Sequence, residues 1–530
     1  MKKILSILLS VCLLFSLAAC GSAATESSAE QTTENTAAEA AVLEATNASA
    51  AEETTAEAPS DFPGEPPSGD MPGEPPEGGG PGGMPSGGFG GGPGGMPPGD
   101  PPDGNGGPGG TPPGGFGGGP GGMSSAELDY TAAVEITSAD SRSDQTYAST
   151  TADESALLIS TDADVKITDP TVIKSGDSDG GDSCNFYGLN AAVLVKDGAN
   201  VTIIGGSVTS DASGANGVFC YGGNGGQNGA AGDGTTLIIR DTSIVTTGDG
   251  SGGIMTTGGG VTYAFDLDVT TSGRSSAPIR TDRGGGTVVV NGGIYTSNGL
   301  GSPAIYSTAD IIVSNAVLTS NLSEGVCIVG LNSITLNNCD LTANNTQCNS
   351  NATFYDTIMI YQSMSGDAAS GTSHFTMTGG TLTSKNGHVF HVTNTTAVIT
   401  LEDVQIVNED ADGILLSVCA DGWSGGSNIA TLKTVAQKLE GTILVGSDST
   451  LTLELTDGSA FTGRISGEIT NAKGTTVSTE VGTVSVTLDS SSTWTLTGDT
   501  WITAFNGDAA NVISDGYTLY VNGAALTGTK

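Results

Sequence analysis

The sequence predicts an all-β protein: a right-handed parallel β-helix that follows a disordered N-terminal tether. Two observations predict this fold. An eight-residue unit recurs between residues 167 and 408, with mostly aliphatic residues at its first and sixth positions and mainly Gly, Asn or Asp at its third. The body is also rich in Thr, Ser, Gly, Val, Ile and Asn, which favour strands and turns over helices. A repeat of this kind is typical of a solenoid, in which each unit stacks on the next.

Residues 1–20 form the first element, an export signal. Lys2 and Lys3 precede an apolar stretch, Ile4 to Leu17, that is too short to span a bilayer as a stable helix. The stretch ends in Leu-Ala-Ala-Cys, which resembles the lipobox of bacterial lipoprotein signals. The resemblance implies that Cys20 is diacylated and becomes the mature N-terminus, and two acyl chains give stable anchoring. The alternative is an ordinary signal peptide with an incidental cysteine.

The second element is the tether. Residues 21–58 are Ala, Glu, Thr and Ser with few large apolar groups, so they bury too little surface to offset chain entropy. Residues 59–123 are rich in Pro and Gly, and the string GGFGGGPGGM occurs in them twice, at 87–96 and at 114–123. Such a chain averages about 55 Å end to end and reaches about 300 Å when extended. We expect it to lift the following domain away from the membrane.

The charge of the chain excludes one class of partner. The formal net charge is -41, from 57 acidic and 16 basic residues. Such a chain repels nucleic acid and anionic lipid surfaces. We therefore expect no nucleic-acid partner and no membrane contact except through the lipid anchor.

The third element, residues 124–530, is the β-helix. Nine units define its coils, with first residues Ile167, Ile203, Ile239, Ala264, Val290, Val313, Leu336, Met377 and Leu401. A second aliphatic position follows each start by about 15 residues, as at Ile254 and Ile279. Each unit is predicted to be strand, tight corner, strand, turn, strand, with Gly or Asn at the corner supplying left-handed backbone geometry. About 14 coils spaced by about 4.8 Å give a rod of roughly 65 Å.

The last element is a cap at about 480–530, since the end of a β-helix needs covering. Trp494, Trp501 and Phe505 lie there on an alternating strand pattern. We expect these aromatic residues to close the end of the rod.

Aromatic residues on two long loops are the first candidate ligand contacts. Phe186 and Tyr187 lie in the insertion 176–188, and Tyr221 lies in the insertion 220–234. Aromatic faces stack on sugar rings while neighbouring polar groups bond the hydroxyls. The alternative role of these rings is packing over the edge of a coil.

Arginines near these loops are the second candidate contacts, because basic residues are rare in this chain. Arg240, Arg280 and Arg283 follow the two loops. A guanidinium holds a carboxylate through two hydrogen bonds, so these residues could bind uronate groups. The alternative is pairing with protein carboxylates such as Asp249, Asp268 or Asp282.

Acidic residues in the first loop suggest a Ca²⁺ site. Asp177, Asp179 and Asp182 lie in a loop broken by Gly, and alternating carboxylates suit the oxygen shell of this ion. The closing Glu of an EF-hand loop is missing. A solvated acidic turn is the alternative.

Two cysteines occupy equivalent offsets in successive units. Cys184 and Cys220 each follow their unit start by 17 residues, so we expect them to lie one above the other. They form either a disulfide or two stacked buried thiols.

Catalytic signatures are sparse. His388 and His391 would point to opposite faces of a strand, which disfavours a shared metal. The motifs of β-helical polygalacturonases, Asn-Thr-Asp, paired Asp, Gly-His-Gly and Arg-Ile-Lys, do not occur. Glycoside cleavage by carboxylates from distant coils stays an alternative. We assign no catalytic residue.

The chain as a whole resembles clostridial surface lipoproteins with a tether and a right-handed parallel β-helix described as carbohydrate-binding. The likeness covers the whole architecture and units such as VNGGIYTS and MTGGTLTS, and β-helical adhesin stems share much of it. It implies a lipid-anchored protein on the outer face of the cell membrane, reaching into or through the wall, that binds plant-wall or host polysaccharide and carries Ca²⁺. There are two alternatives. The first is an enzyme, either a Ca²⁺-dependent polysaccharide lyase that uses Arg280 or a glycoside hydrolase. The second is a structural stalk.

Overall fold

A computed structural model describes residues 128–225 and 231–530. The predicted signal peptide 1–20 with Cys20, and the segments 21–58 and 59–123, lie outside the described residues. No helix among the described residues is long and apolar enough to cross a membrane.

Three long sheets of parallel strands form the β-helix. Sheet 1 has 13 strands: Thr131–Ile136, Glu154–Ser160, Val193–Lys196, Val218–Tyr221, Ile254–Thr257, Ile279–Thr281, Ile305–Ser307, Val326–Val329, Asp356–Tyr361, His388–Thr393, Ile414–Val418, Thr442–Val445 and Ile465–Ser466.

Sheet 2 has 14 strands: Asp140–Ser143, Asp164–Thr168, Asn200–Ile204, Thr236–Arg240, Gly260–Phe265, Gly286–Asn291, Asp310–Ser314, Ser333–Asn337, Thr372–Thr378, Thr395–Glu402, Asn428–Val435, Ser449–Thr456, Thr483–Leu488 and Ala504–Asn506.

Sheet 3 has ten strands: Thr146–Ser149, Thr171–Lys174, Ser207–Ser210, Ser243–Thr246, Asp268–Thr271, Ile294–Ser297, Val317–Ser320, Asp340–Ala343, Thr381–Ser384 and Gln405–Asn408. Sheet 4 takes its place in the later coils: Lys438–Glu440, Ala460–Gly463, Thr493–Leu496 and Val512–Ile513.

Smaller elements complete the described fold. A hairpin pairs Ile469–Thr470 with Thr476–Ser478, and a last sheet joins Thr500–Ile502, Leu519–Val521 and Ala524–Ala525. Helix α1 is Asp182–Tyr187, and a 3-10 turn is Ala509–Asn511.

Each of the first 13 coils contributes one strand to sheet 1, then sheet 2, then sheet 3 or 4, and the last coil contributes strands to sheets 2 and 4. Neighbouring strands in the long sheets are three strands apart along the chain, except Ser449–Thr456 and Thr483–Leu488 in sheet 2, which are separated also by the hairpin strands, and they run parallel. The prediction of a parallel β-helix is confirmed, and the 14 strands of sheet 2 match the expected number of coils.

The repeat positions form continuous columns, as predicted. The first positions of the nine units are consecutive register partners in sheet 2, and the sixth positions are partners in sheet 3. Ile254, Ile279, Ile305 and Val326 make the matching column in sheet 1. These side chains fill one core that runs through the coils, so burial of aliphatic surface holds each coil on the next.

The corner between sheet 2 and sheet 3 has left-handed backbone geometry. The third residue of every unit has a φ between 47° and 75°, and it is always Asp, Asn or Gly. These residue types tolerate that region best. Glycine is required where the preceding coil fills the space: a Cβ on Gly205 would lie 2.1 Å from Asp169 Oδ1.

A buried serine ladder ties the corner between sheet 3 and sheet 1. Ser251 N–H donates to Ser276 Oγ at 2.9 Å, and Ser276 N–H donates to Ser302 Oγ at 2.8 Å. Each hydroxyl in turn donates to a carbonyl of the preceding coil, for example Ser251 to Ala212 at 2.8 Å. Backbone groups that the corner turns away from strand pairing are therefore satisfied inside the rod.

Lys174 replaces a serine or threonine at the eighth position of the first unit. It is 1% exposed, and its ammonium donates to the carbonyls of Thr151 at 2.9 Å, Ser175 at 2.5 Å and Gly176 at 2.9 Å. Burial lowers the pKa of Lys174. Three acceptors match the three donors of an ammonium, so a cation is accommodated in the core.

The C-terminal cap is only partly as predicted. Trp494 is fully buried, stacks on Phe461 at 5.6 Å between ring centroids, and donates from Nε1 to the Gly463 carbonyl at 3.0 Å. Phe505 packs against the core. The expectation that Trp501 closes the end is wrong. Its side chain is 49% exposed and stacks on Tyr520, because its position in the strand Thr500–Ile502 points outward.

Candidate binding face

Long loops border the outer face of sheet 1 on both sides. Segments 175–192 and 344–355 lead from sheet 3 into sheet 1. Segments 222–235, 362–371 and 419–427 lead from sheet 1 into sheet 2, and residues 226–230 of the first lie outside the described part. The outer face of sheet 1 is thus the floor between two rows of loops.

Helix α1 covers the first part of this floor. Leu158, Leu194, Phe219 and Met255 point outward from successive strands, yet they form a buried apolar cluster. The helix is held in place where Thr257 Oγ1 donates to the Phe186 carbonyl at 2.7 Å. Burial of these four side chains fixes the helix and the aromatic residues it carries.

The structure brings together the three predicted aromatic residues. Phe186 and Tyr187 meet edge to face at 6.2 Å, and Tyr187 meets Tyr221 edge to face at 5.8 Å. Both tyrosine rings are half-buried, whereas Phe186 is 6% exposed. Tyr130 OH donates to the Tyr187 carbonyl at 2.9 Å. The two tyrosines can offer ring surface to a ligand, and Phe186 supports them.

Arg283 reaches this aromatic group, as the sequence suggested. Its guanidinium carbon lies 4.2 Å from the centroid of the Phe186 ring. Its Nη2 also bonds Asp367 Oδ1 at 2.7 Å, so the charge is already paired. Asp367 comes from the loop 362–371, and this ion pair links two loops on the same side of the floor.

Arg280 lies on the floor with its own carboxylate. Nη2 bonds Asp282 at 2.8 Å and Nη1 donates to the Ser275 carbonyl at 2.9 Å. Burial raises the pKa of Asp282 to about 6, against the opposing effect of Arg280. Of the two alternatives for Arg280, the geometry supports pairing with Asp282.

Arg240 does not belong to this face. It ends the sheet 2 strand Thr236–Arg240, and its guanidinium lies 5.6 Å from the Phe265 ring of the next coil. The sequence showed that Arg240 follows the two loops, but it did not show that this residue lies on sheet 2 rather than on sheet 1.

Three further aromatic residues continue the face. Tyr306 is the register neighbour of Arg280, and its hydroxyl interacts with that of Tyr361. Tyr361 packs on Trp423 with ring centroids 4.8 Å apart. All three are half-buried. We call Tyr187, Tyr221, Tyr306, Tyr361 and Trp423 the aromatic track. It extends from Tyr221, at the end of the fourth strand of sheet 1, to Trp423, which follows the eleventh strand, and it lies on the loop-bordered side of the rod.

Sequence reasoning missed Trp423 and Tyr306 as parts of the face. Tyr306 follows the repeat column residue Ile305 directly, so its outward direction could have been found from strand alternation. Trp423 and Asp367 lie in loops, where no repeat fixes the position.

The three aspartates of the predicted Ca²⁺ site do not gather. Asp177 Oδ1 accepts the Ser213 N–H at 2.8 Å, and Asp182 begins helix α1. Within residues 128–225 and 231–530, no group of three or more His, Cys, Asp or Glu is arranged to hold a metal ion.

The expected stacking of Cys184 and Cys220 is wrong. Cys220 has Val195 as its register partner, while Cys184 lies in helix α1, and both are buried free thiols. The reason is where each coil is lengthened. The first insertion precedes the sheet 1 strand and the second follows it, so equal offsets reach different places.

A buried polar cluster lies under the loop 344–355. The Ser417 hydroxyl is 2.7 Å from Nδ1 of both His388 and His391. His391 Nε2 lies 3.5 Å from Asp421 Oδ2, and the Phe354 ring covers His391 at 4.9 Å. The two histidines were expected on opposite faces, but both reach the same serine hydroxyl from the strand His388–Thr393.

The order of groups in this cluster is carboxylate, imidazole, hydroxyl, imidazole. The Ser417 hydroxyl can donate to one imidazole and accept from the other, and the tautomers of the two rings set the direction. Burial lowers the pKa of His388 to about 3, in keeping with a neutral ring. Because Ser417 and His391 are fully buried, no substrate reaches the hydroxyl in this conformation.

Two buried carboxyl groups lie beside this cluster. Val326 pairs with Ile358, and Asp356 pairs with His388, so Glu324, Asp356 and His388 occupy equivalent places on three coils. Glu324 is 5% exposed and Asp356 1%. Burial, and then their mutual repulsion for Asp356, raises the pKa of both carboxyl groups.

Comparison with known proteins identifies no relative of this chain. Neither a family model, nor a curated protein, nor a solved structure matches the chain.

Proposed function

We propose that this chain is a cell-surface lipoprotein whose β-helix binds polysaccharide along the aromatic track without cleaving it. The observation that carries the proposal is that one loop-bordered face holds five half-buried aromatic side chains in two groups, Tyr187 with Tyr221, and Tyr306 with Tyr361 and Trp423. Aromatic faces contribute apolar contact to sugar rings, and the polar loops beside them supply hydrogen bonds.

The charges on this face favour a neutral polysaccharide over a uronate. The guanidiniums of Arg280 and Arg283 are already bonded to Asp282 and Asp367. A uronate would have to displace a protein carboxylate, in a chain whose net charge is -41. A plant-wall or host glycan without acid groups meets no such competition.

The sequence supports a location of the β-helix outside the cell membrane. The lipobox Cys20 supplies a lipid anchor, and the segments 21–58 and 59–123 give the β-helix reach. In this proposal the domain stands outside the membrane, within or beyond the wall, with no nucleic-acid partner.

Calcium is a second part of the proposal. The structure does not gather Asp177, Asp179 and Asp182 into a ligand cluster, so an ion would have to draw these carboxylates together at helix α1, which would stiffen the segment that carries Tyr187. Addition of Ca²⁺ is then expected to tighten polysaccharide binding, and a chelator to weaken it.

Pull-down on insoluble polysaccharide tests the binding face. Neutral glucans, pectate and host glycans are each presented with Ca²⁺ and with a chelator. We expect retention on a neutral polymer, and at least tenfold weaker binding for Tyr187→Ala and Trp423→Ala. Trp501→Ala is the matched control, since that exposed tryptophan lies in the cap. Retention on no polymer in either condition would favour the structural stalk.

A lyase or hydrolase is the second candidate function. Glycoside cleavage needs two carboxyl groups, and Glu324 and Asp356 are such a pair on neighbouring coils, but their burial counts against access by a substrate. New reducing ends or unsaturated products would reveal it. Arg280→Ala would abolish turnover in a lyase that uses this residue, but the ion pair with Asp282 makes Arg280 a poor base.

A further inference from the structure

The outer face of sheet 3 differs from the rest of the surface. Each of its ten strands directs two side chains outward, and every one of these is exposed or half-buried. We call this surface the threonine face. The pairs, in coil order, are Thr146 and Ala148, Thr171 and Ile173, Ser207 and Thr209, Ser243 and Val245, Asp268 and Thr270, Ile294 and Thr296, Val317 and Thr319, Asp340 and Thr342, Thr381 and Thr383, and Gln405 and Val407.

The threonine face is nearly free of charge. It holds two Asp and no Lys, Arg or Glu, in a chain with a net charge of -41. Four of the nine large hydrophobic side chains that are exposed among the described residues lie on it: Ile173, Val245, Ile294 and Val317. The next strand, Lys438–Glu440, ends the uncharged surface with an exposed lysine and glutamate.

The face is regular. Its strands are parallel and in register without a bulge, so one outward row runs Thr270, Thr296, Thr319, Thr342 and Thr383. Strand spacing places these residues about 4.8 Å apart. β-branched side chains have few rotamers, so the rows are stiff and present ridges and grooves to a partner.

The size of the face suits a weak but specific contact. Ten strands at about 4.8 Å by four residues at about 3.3 Å cover roughly 600 Å². Two such faces in contact bury roughly 1,200 Å², the lower end of specific protein interfaces.

We propose that the threonine face is a self-association surface on which a second copy of this chain packs, sheet against sheet. The matching row spacing of two identical faces lets their ridges interlock, with sheets about 10 Å apart. Elsewhere, two copies with this net charge repel each other, so the nearly uncharged face is the place where they can approach.

The orientation follows from the two aspartates. The first outward residues of the strands form one row, which includes Asp268 and Asp340, and the second outward residues form the other row. A twofold axis parallel to the rod sets the first row of one copy against the second row of its partner, so Asp268 faces a threonine rather than a carboxylate. This arrangement also keeps both N-termini at the same end, which suits two chains anchored in one membrane.

Sedimentation equilibrium of the chain without its signal peptide and lipidated cysteine, residues 21–530, tests the proposal. We expect a monomer–dimer equilibrium with a dissociation constant of about 10–100 µM, as a small interface gives. The dimer should strengthen as salt rises, because salt screens the repulsion between copies.

Matched variants locate the contact. Thr296→Glu with Thr319→Glu adds two charges to the threonine face and should weaken the dimer at least tenfold. Thr335→Glu with Thr376→Glu adds the same charge to the outer face of sheet 2 and should leave the dissociation constant within about twofold. Circular dichroism verifies that each variant is folded.

Two results would overturn the proposal: a monomer at all salt concentrations up to several hundred micromolar, or equal weakening by both pairs of variants. A monomer whose threonine-face variant loses retention on insoluble polysaccharide would assign the face to that ligand instead. The polysaccharide proposal fails independently, through Tyr187→Ala and Trp423→Ala.

Discussion

At the scale of single residues, this β-helix holds ionisable groups in its interior by two different means. Three carbonyl acceptors stabilise the ammonium form of Lys174, against the lowering of its pKa by burial. Glu324 and Asp356 have no Lys or Arg within ion-pair distance among the described residues. Burial therefore favours the protonated, neutral form of both carboxyl groups.

This difference predicts how stability depends on pH. A carboxyl group whose folded pKa is raised contributes stability below its unfolded pKa of about 4 and loses it as pH rises through the folded value. Glu324→Gln with Asp356→Asn stays neutral at all pH values. We expect the double variant to be more stable than the native chain at pH 8, by about 1–3 kcal/mol, with a smaller difference at pH 5.

Urea unfolding at pH 5, 6, 7 and 8 measures this effect. Asp448→Asn removes an exposed carboxyl group and serves as the control. Equal pH profiles for the native chain and the double variant would contradict the assignment.

His388 acts in the opposite direction. Its pKa is lowered to about 3, so its contribution is present above about pH 6.5 and is lost as pH falls.

At the scale of elements, the left-handed corner is the most constrained part of each coil. Ala436 occupies it with a φ of 50°, where earlier coils have Asp, Asn or Gly. A Cβ in this region costs about 1–2 kcal/mol, whereas glycine pays a smaller entropic cost. Ala436→Gly should therefore stabilise the chain by about 0.5–1 kcal/mol.

The same substitution elsewhere gives the control. Ala430 is buried in the strand Asn428–Val435, and Ala430→Gly should destabilise by about 1 kcal/mol or more. Thermal unfolding of both variants measures the two signs. A loss of stability in Ala436→Gly would show that the corner does not strain alanine.

Sequence periodicity predicted the columns of the core and the corner, because those positions recur in every unit. It did not predict on which side of a strand an insertion lies, and the offset argument for Cys184 and Cys220 was wrong for that reason. The candidate face was predicted in part. Phe186, Tyr187, Tyr221 and Arg283 do meet, while loop residues such as Trp423 depend on packing that no repeat encodes.

At the scale of the whole molecule, the C-terminal end limits the stability of the rod, since a solenoid is held together by contacts between neighbouring coils. Trp494 fills the last part of the core and Trp501 lies outside it. We expect Trp494→Ala to cost about 3–5 kcal/mol and Trp501→Ala less than about 1 kcal/mol. Urea unfolding compares them, and similar losses would mean that the closing strands are held by something other than the buried ring.

The corner between sheet 2 and sheet 3 has one more consequence. In each of the first ten coils it is two residues long, whereas the extra length of every enlarged coil lies at the borders of sheet 1. If recombination joins the gene at one such corner to the gene at another, the backbone on both sides of the junction has the same geometry as before. Whole coils can therefore be duplicated, deleted or exchanged by recombination at this corner, and the protein can change its length and its loops in separate genetic steps.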